Sequence, residues 1–301
     1  MKIALVGLYY PVAMLHYFRR ALERRDDVEL VTVGPFTNNW IPWNGGMELP
    51  PKYTYTPHHP LPQRLIQNGK INPQIFQMFE DLADVDLWLE VDAGFYLDPK
   101  PKGLVAHVAT DPHCLNYDRQ RELADYFFNM QTPYMKQGDL YLAYAFDPTL
   151  HYPEEREKLY DACLIGLQYT HRTELVKRLN LQGVKVYSGI GDVYDEYRRR
   201  YNESKIALSW SSLLDLPTRV FESLAMKLPL VTNRVPDLTN FFVEGEHFLG
   251  FDTVEEGTKQ VMRLLLDDKL REQIAIAGHE AVQSHTWDFR IEEILKTVGL
   301  I

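Results

Sequence analysis

The chain has 301 residues, is 45% hydrophobic and carries a formal net charge of −10. That length suits two domains of about 150 residues, and the charge argues against nucleic acid or an anionic membrane as the main partner, leaving room for a local basic cleft. Only two cysteines occur, Cys114 and Cys163, far apart, so no disulfide framework is expected and a reducing compartment fits. No run approaches the roughly 20 apolar residues of a membrane span. The opening strand is too short for a signal-peptide core, and a soluble cytoplasmic protein is expected.

The first half alternates strands and helices. KIALVG (2–7) reads as a strand, AMLHYFRRALERR (13–25) as an amphipathic helix and VELVTVG (28–34) as a strand. Residues 35–69, rich in Pro, Asn, Gly and His, read as a long loop, a kind that is often functional inside a compact domain. A helix is expected over about 73–83. Strands follow at DLWLEVDAG (86–94), LVAHVATD (104–111), YFFN (126–129) and DLYLAYAF (139–146). Several of these runs are continuously apolar, which implies a parallel sheet covered on both faces.

Near residue 150 the pattern changes. FDPTLHYPEEREKLYD (146–161) is polar with two prolines and reads as a linker. The alternation then restarts with strands ACLIG (162–166), VKVYSG (184–189), KIALSW (205–210), LPLVTN (228–233) and HFLGF (247–251). Helices are expected at about 172–180, 193–201, 218–227, 253–266, 268–284 and 288–298. The expected fold is α/β: two doubly wound, Rossmann-like domains, residues 1–150 and 151–285, facing a cleft. In such sheets ligands bind beyond the carboxyl ends of the strands.

The stretch PTRVFESLAMKLPLVTN (217–233) follows one such strand end. Phe221, Leu224, Ala225 and Leu228 share the i, i+3, i+4, i+7 face of a helix, and Arg219 and Glu222 lie three apart on the opposite side. Pro217 suits a first helical position. A helix start suits phosphate; a carboxylate there complements the dipole or accepts hydrogen bonds from ribose hydroxyls. Two further strand-end loops are Gly166-Leu-Gln168-Tyr-Thr-His-Arg172 and Ser188-Gly189-Ile190-Gly191-Asp192. Glycines allow close approach of a ligand to the backbone, and Arg172 and Arg219 can pair with a diphosphate. Arg172 opens a helix, where a cation is electrostatically unwelcome, which favours an anionic ligand. Gly166, Arg172, Gly189, Ile190, Gly191, Pro217, Thr218, Arg219 and Glu222 together suit a nucleoside diphosphate. The bland alternatives are a dipole partner for Glu222, a solvated residue or ion partner of Glu222 for Arg219, and plain turns for the glycines.

Competing motifs are missing from the sequence. Gly189 and Gly191 lack the third glycine of a dinucleotide fingerprint. There is no Walker A sequence, no zinc spacing among His and Cys, and no Gly-x-Ser-x-Gly elbow.

PTRVFESLAMKLPLVTN resembles the P-x-R-x-F-E-x-L-A-x-G-x-x-L-x-T-N block of CgeB-like glycosyltransferases, a family of GT-B fold. Further blocks follow in order: Phe241-Phe-Val-Glu-Gly245-Glu246, Leu266 to Ala275, His285-Thr286-Trp287 with Arg290, and upstream Tyr160 to Gly166, Arg172 and Asn202-Glu-Ser204-Lys205-Ile206. The resemblance covers most of residues 140–300; the first half matches only loosely, through Thr110-Asp111-Pro-His113. It implies a nucleotide sugar held mostly by the second domain, Glu222 on the ribose, and a last helix (286–301) crossing back to the first domain. It implies no metal and no cofactor, only a nucleoside diphosphate sugar as co-substrate. Related retaining enzymes carry another glutamate eight positions earlier, where this chain has Leu214; that role is absent or taken by Asp215. Lys227 replaces the family's glycine.

Asp111 and His113 end the strand LVAHVATD, where a carboxylate or imidazole can take a proton from an acceptor hydroxyl; a capped turn is the alternative. Asp92 has a similar case. His58, His59, Tyr9 and Tyr10 are candidates to touch an acceptor. The expected activity is transfer of a sugar to an unidentified acceptor. The alternatives are a non-catalytic nucleotide-sugar-binding protein in surface or spore-coat assembly, and an NAD-linked oxidoreductase. The oligomeric state is not readable from these residues.

Overall fold

The computed structural model describes all residues except 42–45, 63–65, 92–93 and 212. Contacts divide the chain into two units, one of Met1–Ala143 with Trp287–Ile301 and one of Tyr144–Thr286.

The first unit opens with β1 (Lys2–Val6), α1 (Leu15–Glu23) and β2 (Glu29–Gly34). Between residues 35 and 69 the described residues do not form the unbroken loop expected. β3 (Trp40–Ile41) and β4 (Met47–Glu48) form an antiparallel pair, β5 (His59–Pro60) adds in parallel to β2, and β6 (Ile66–Gln67) precedes β7 (Lys70–Ile71). The helix expected over 73–83 is two short 3-10 turns, Pro73–Met78 and Glu80–Leu82. Phe79 between them is extended (φ −106°, ψ 113°), which prevents an α-helical ladder; its ring packs on His59 at 4.0 Å between centroids. Then come β8 (Leu87–Val91), β9 (Tyr96–Leu97), β10 (Leu104–Ala109), α2 (Asp118–Leu123), β11 (Tyr126–Asn129) and β12 (Leu140–Tyr141). The strand expected over 139–146 is therefore only two residues long; its apolar continuation, Leu142 to Ala145, is buried outside any strand, and Phe146 makes a single parallel bridge to Thr286.

The main sheet has the order β12-β11-β10-β8-β1-β2-β5, with every pairing parallel. Parallel pairing demands crossovers that cover both faces, and β8 is accordingly buried at all five positions. The order reverses at β1/β8, the switch point of a doubly wound sheet. Gly7 lies there: a Cβ on it would stand 2.3 Å from the Val91 carbonyl oxygen. The last helix, α8 (Trp287–Thr297), belongs to this unit. Trp287 is fully buried, stacked on Tyr17 (5.5 Å, 10°) and against Phe18 (5.0 Å). Arg24 holds Asp288 at 2.8 Å, and Arg290 Nε donates to the Ala143 carbonyl at 3.0 Å.

The second unit contains β13 (Tyr160–Ile165), α3 (Thr170–Leu181), β14 (Val186–Gly189), α4 (Asp195–Asn202), β15 (Ser204–Ser209), α5 (Thr218–Ala225), β16 (Leu230–Asn233), β17 (Phe248–Phe251), α6 (Val254–Leu266) and α7 (Asp268–Val282). Its sheet runs β14-β13-β15-β16-β17, all parallel, so the order reverses at β13/β15. Leu164, Ile206, Leu208, Val231 and Phe251 from the strands pack with Leu175 and Leu179 of α3 and Val261 and Leu264 of α6. A crevice beyond the carboxyl ends of β13 and β15 is where this topology puts a ligand. No helix among the described residues is long and apolar enough to cross a membrane.

Candidate functional site

Three loops leave the carboxyl edge of the second unit's sheet. β13 is followed directly by Gly166 (φ +138°), whose N–H donates to the Gly189 carbonyl at 2.9 Å. A Cβ at Gly166 would stand 2.4 Å from Arg219 Nη2 and 3.4 Å from Arg172 Nη1. Glycine is needed there because two guanidiniums close on its backbone from opposite loops.

The two arginines are held differently. Arg172 is the third residue of α3, not its opening one, and is 7% exposed. Its Nε donates to the Trp210 carbonyl (2.7 Å) and its Nη1 to the Leu167 carbonyl (2.8 Å). Burial, then the charge of Arg219, lowers its pKa to about 10, the mark of a cation crowded by another. Arg219, in the first turn of α5, has Nε and Nη1 shielded from solvent with no hydrogen-bond partner among the described residues. Burial acts to lower its pKa, but Tyr201, Tyr197 and Glu222 more than offset this and hold it above the ordinary value, so it stays charged. Buried unpaired donors are costly and rare; two on one cation, beside a second cation, leave a local excess of positive charge at this edge.

Glu222 is not a solvated counter-charge, though its charge helps to hold up the pKa of Arg219. Nor does it lie on an open helix face: it is 5% exposed, because α5 is buried from Val220 to Ala225. Its Oε2 accepts from the Tyr197 hydroxyl at 2.7 Å and its Oε1 from Thr218 Oγ1 at 3.2 Å. His151 Nε2 lies 3.6 Å from Oε1. Pro217 is the N-cap of α5 rather than its first residue. The remaining loop turns at Gly189 and Gly191 (φ +96°) and exposes Ile190. Tyr187 donates to Asp192 at 2.6 Å; burial, then Asp192, pushes its pKa up to about 12. Leu214 is 53% exposed beside this edge, and Asp215 accepts a hydrogen bond from Ser211 Oγ.

Asp111 and His113 lie in the other unit. The Asp111 carbonyl accepts from the N–H groups of Cys114 (3.0 Å) and Leu115 (3.2 Å), the geometry of a capped turn. His113 Nδ1 is 3.2 Å from Gln131 Oε1. Asp92 lies outside the described residues. His58 is exposed, with its Nδ1 accepting from the Thr32 N–H at 3.2 Å, and the half-buried His59 meets Asp81 at 2.8 Å. Tyr9 is a core residue, 1% exposed and donating to the Leu5 carbonyl. Sequence reasoning missed Tyr197 and His151, which carry no motif of their own and meet Glu222 only through folding.

Residues 157–296 match the model of a family described as glycosyl transferase-like. No curated protein matches the chain. Among solved structures, the sucrose-phosphate synthase of Thermosynechococcus elongatus is similar over 100% of this chain and 99% of its own, with a TM-score of 0.68 and 12% identity. HepE of Anabaena, in complex with UDP and glucose, aligns over 100% of both chains with a TM-score of 0.66 and 10% identity. TarM aligns over 70% of this chain and 54% of its own with a TM-score of 0.55 and 11% identity. The GT-B fold expected from the sequence is the fold the chain has, and the glycosyltransferase activity expected from it is the one the family match over residues 157–296 supports.

Proposed function

We propose that the protein transfers a sugar from a nucleoside diphosphate sugar, a UDP-sugar being the first donor to test, and that the second unit holds the donor. One observation carries the reading: the paired guanidiniums of Arg172 and Arg219 at Gly166, with two buried N–H groups of Arg219 unpartnered. A diphosphate would satisfy those donors and relieve the repulsion between the cations. As the glycosidic bond breaks, charge grows on the same diphosphate, so preorganised cations stabilise the transition state more than the ground state. Glu222 would take the ribose, and Gly189, Ile190 and Gly191 the nucleoside side of the ligand. Asp111 or His113 would serve as base toward the acceptor. No metal or cofactor enters this reading, and membership of the CgeB-like subfamily rests on the sequence blocks alone. HepE, of the same fold, holds UDP and glucose, which supports trying UDP first.

The experiment is a thermal-shift panel of UDP, dTDP, GDP, ADP, CMP, NAD and the common nucleotide sugars, since selective binding raises apparent stability. A shift with one nucleoside diphosphate, absent in Arg219→Ala, supports the site; a shift with NAD alone overturns it. The exposed Leu214 motivates the second reading, a donor-binding protein without transfer. Binding with neither transfer nor donor hydrolysis across a broad acceptor screen would favour it.

A further inference from the structure

We propose that Tyr197 and His151 are positioning residues that orient the Glu222 carboxylate toward the ribose of the donor; this rests on the ribose role given to Glu222 above.

The observation is a convergence of separate segments on one buried carboxylate. Tyr197 comes from α4 and donates to Oε2 at 2.7 Å. Thr218, one turn back in α5, reaches Oε1 at 3.2 Å and the Ala145 carbonyl at 3.3 Å. His151 comes from the segment that opens the second unit and is 3% exposed. Its Nδ1 accepts from the Asp147 N–H at 3.2 Å, so the neutral ring carries its proton on Nε2, the nitrogen 3.6 Å from Oε1. The ring stands edge-on to Tyr197, 6.0 Å between centroids at 76°. Burial first, then the Glu222 charge, raises the Tyr197 phenol well above its ordinary pKa, so its proton remains available to donate.

These contacts have a functional consequence. A glutamate side chain is flexible, and fixing its rotamer on binding weakens affinity. Donors on both oxygens hold the carboxylate in one orientation before a ligand arrives. Ribose hydroxyls then meet a preset acceptor. A purely structural network would stabilise α4 against α5 without regard to which hydroxyls a ligand carries.

The test is calorimetric binding of UDP and 2′,3′-dideoxy-UDP to wild type, Tyr197→Phe, His151→Leu, His151→Gln and Glu222→Ala. Tyr197→Phe keeps the ring and removes only the donor. We expect it to weaken UDP about tenfold, roughly 1.4 kcal/mol, and to leave the dideoxy analogue unchanged. His151→Leu should behave similarly, with His151→Gln, whose amide can place an N–H near the Nε2 position, recovering most of the loss. Tyr197→Phe that binds UDP as wild type does, or loses both ligands equally, overturns the positioning role. Failure of the ribose role looks different: wild type then does not distinguish the two ligands, or Glu222→Ala weakens both alike, and the proposal falls with it.

Discussion

Arg219→Ala is the substitution whose outcome the structure defines most sharply. The side chain makes no hydrogen bond through Nε or Nη1, both shielded from solvent, and its Nη2 lies against the Gly166 backbone. Hydrogen bonds to charged groups contribute about 1.5–3 kcal/mol each. If a diphosphate accepts from both idle donors, their loss should cost roughly 3–5 kcal/mol, about two to four orders of magnitude in affinity. The unliganded protein should behave oppositely. Truncation eliminates two donors that make no hydrogen bond among the described residues, while forfeiting attraction to Glu222; its stability is expected to change by no more than about 1 kcal/mol. Calorimetric titration with UDP and thermal melting of the unliganded protein measure the two halves separately. Near-wild-type UDP affinity in a folded Arg219→Ala variant would refute the diphosphate assignment, and a large loss of unliganded stability would show that the guanidinium is a structural element instead.

Three further outcomes follow from local geometry. Gly166→Ala places a methyl group 2.4 Å from Arg219 Nη2 at φ +138°; it should displace the guanidinium and weaken UDP binding about tenfold or more with the fold retained, as calorimetry and circular dichroism would show. Lys227 ends α5 at φ +56°, the left-handed position that glycine fills at least cost; Lys227→Gly should raise stability by about 0.5–1 kcal/mol, and a lower melting temperature would contradict this. His16 is 4% exposed, and burial, then Arg19 and Arg20, lowers its pKa to about 3. Its folded value lies below its unfolded one, so the unfolded state binds the extra proton and stability is lost as pH falls from about 6.5 toward 3. Between pH 6.5 and 5 the loss is about 1.6 kcal/mol, the slope rising toward 1.36 kcal/mol per unit; His16→Gln should flatten that slope in denaturant unfolding.

Element type was largely legible because periodicity and punctuation are local. Every strand expected in the second half is present, as are its helices, and the in-order blocks from Tyr160 to Arg290 pointed to the fold. Misreadings came where a residue's environment overrides its neighbours in sequence. The periodic look of 73–83 yields to an extended Phe79 whose ring packs on His59. The apolar run 142–145 is buried outside any strand. Glu222 read as a polar face of an amphipathic helix, yet α5 is enclosed on nearly every side.

The sequence by itself determined which residues stand at strand ends, because alternating apolar runs and turn glycines set where each strand of a parallel sheet stops. Gly166, Arg172, Gly189, Gly191, Arg219 and Glu222 stand at those ends or in the loops and helix starts that follow them. Only the tertiary structure decided how they combine. Arg172 and Arg219 are 47 residues apart in sequence, and nothing local says that both reach one glycine. Tyr197 and His151 have no motif, and their meeting with Glu222 depends on how α4, α5 and the segment around Asp147 pack. Hydrogen bonds and charge repulsion act across space within a few ångströms, whereas sequence pattern reports only what lies along the chain.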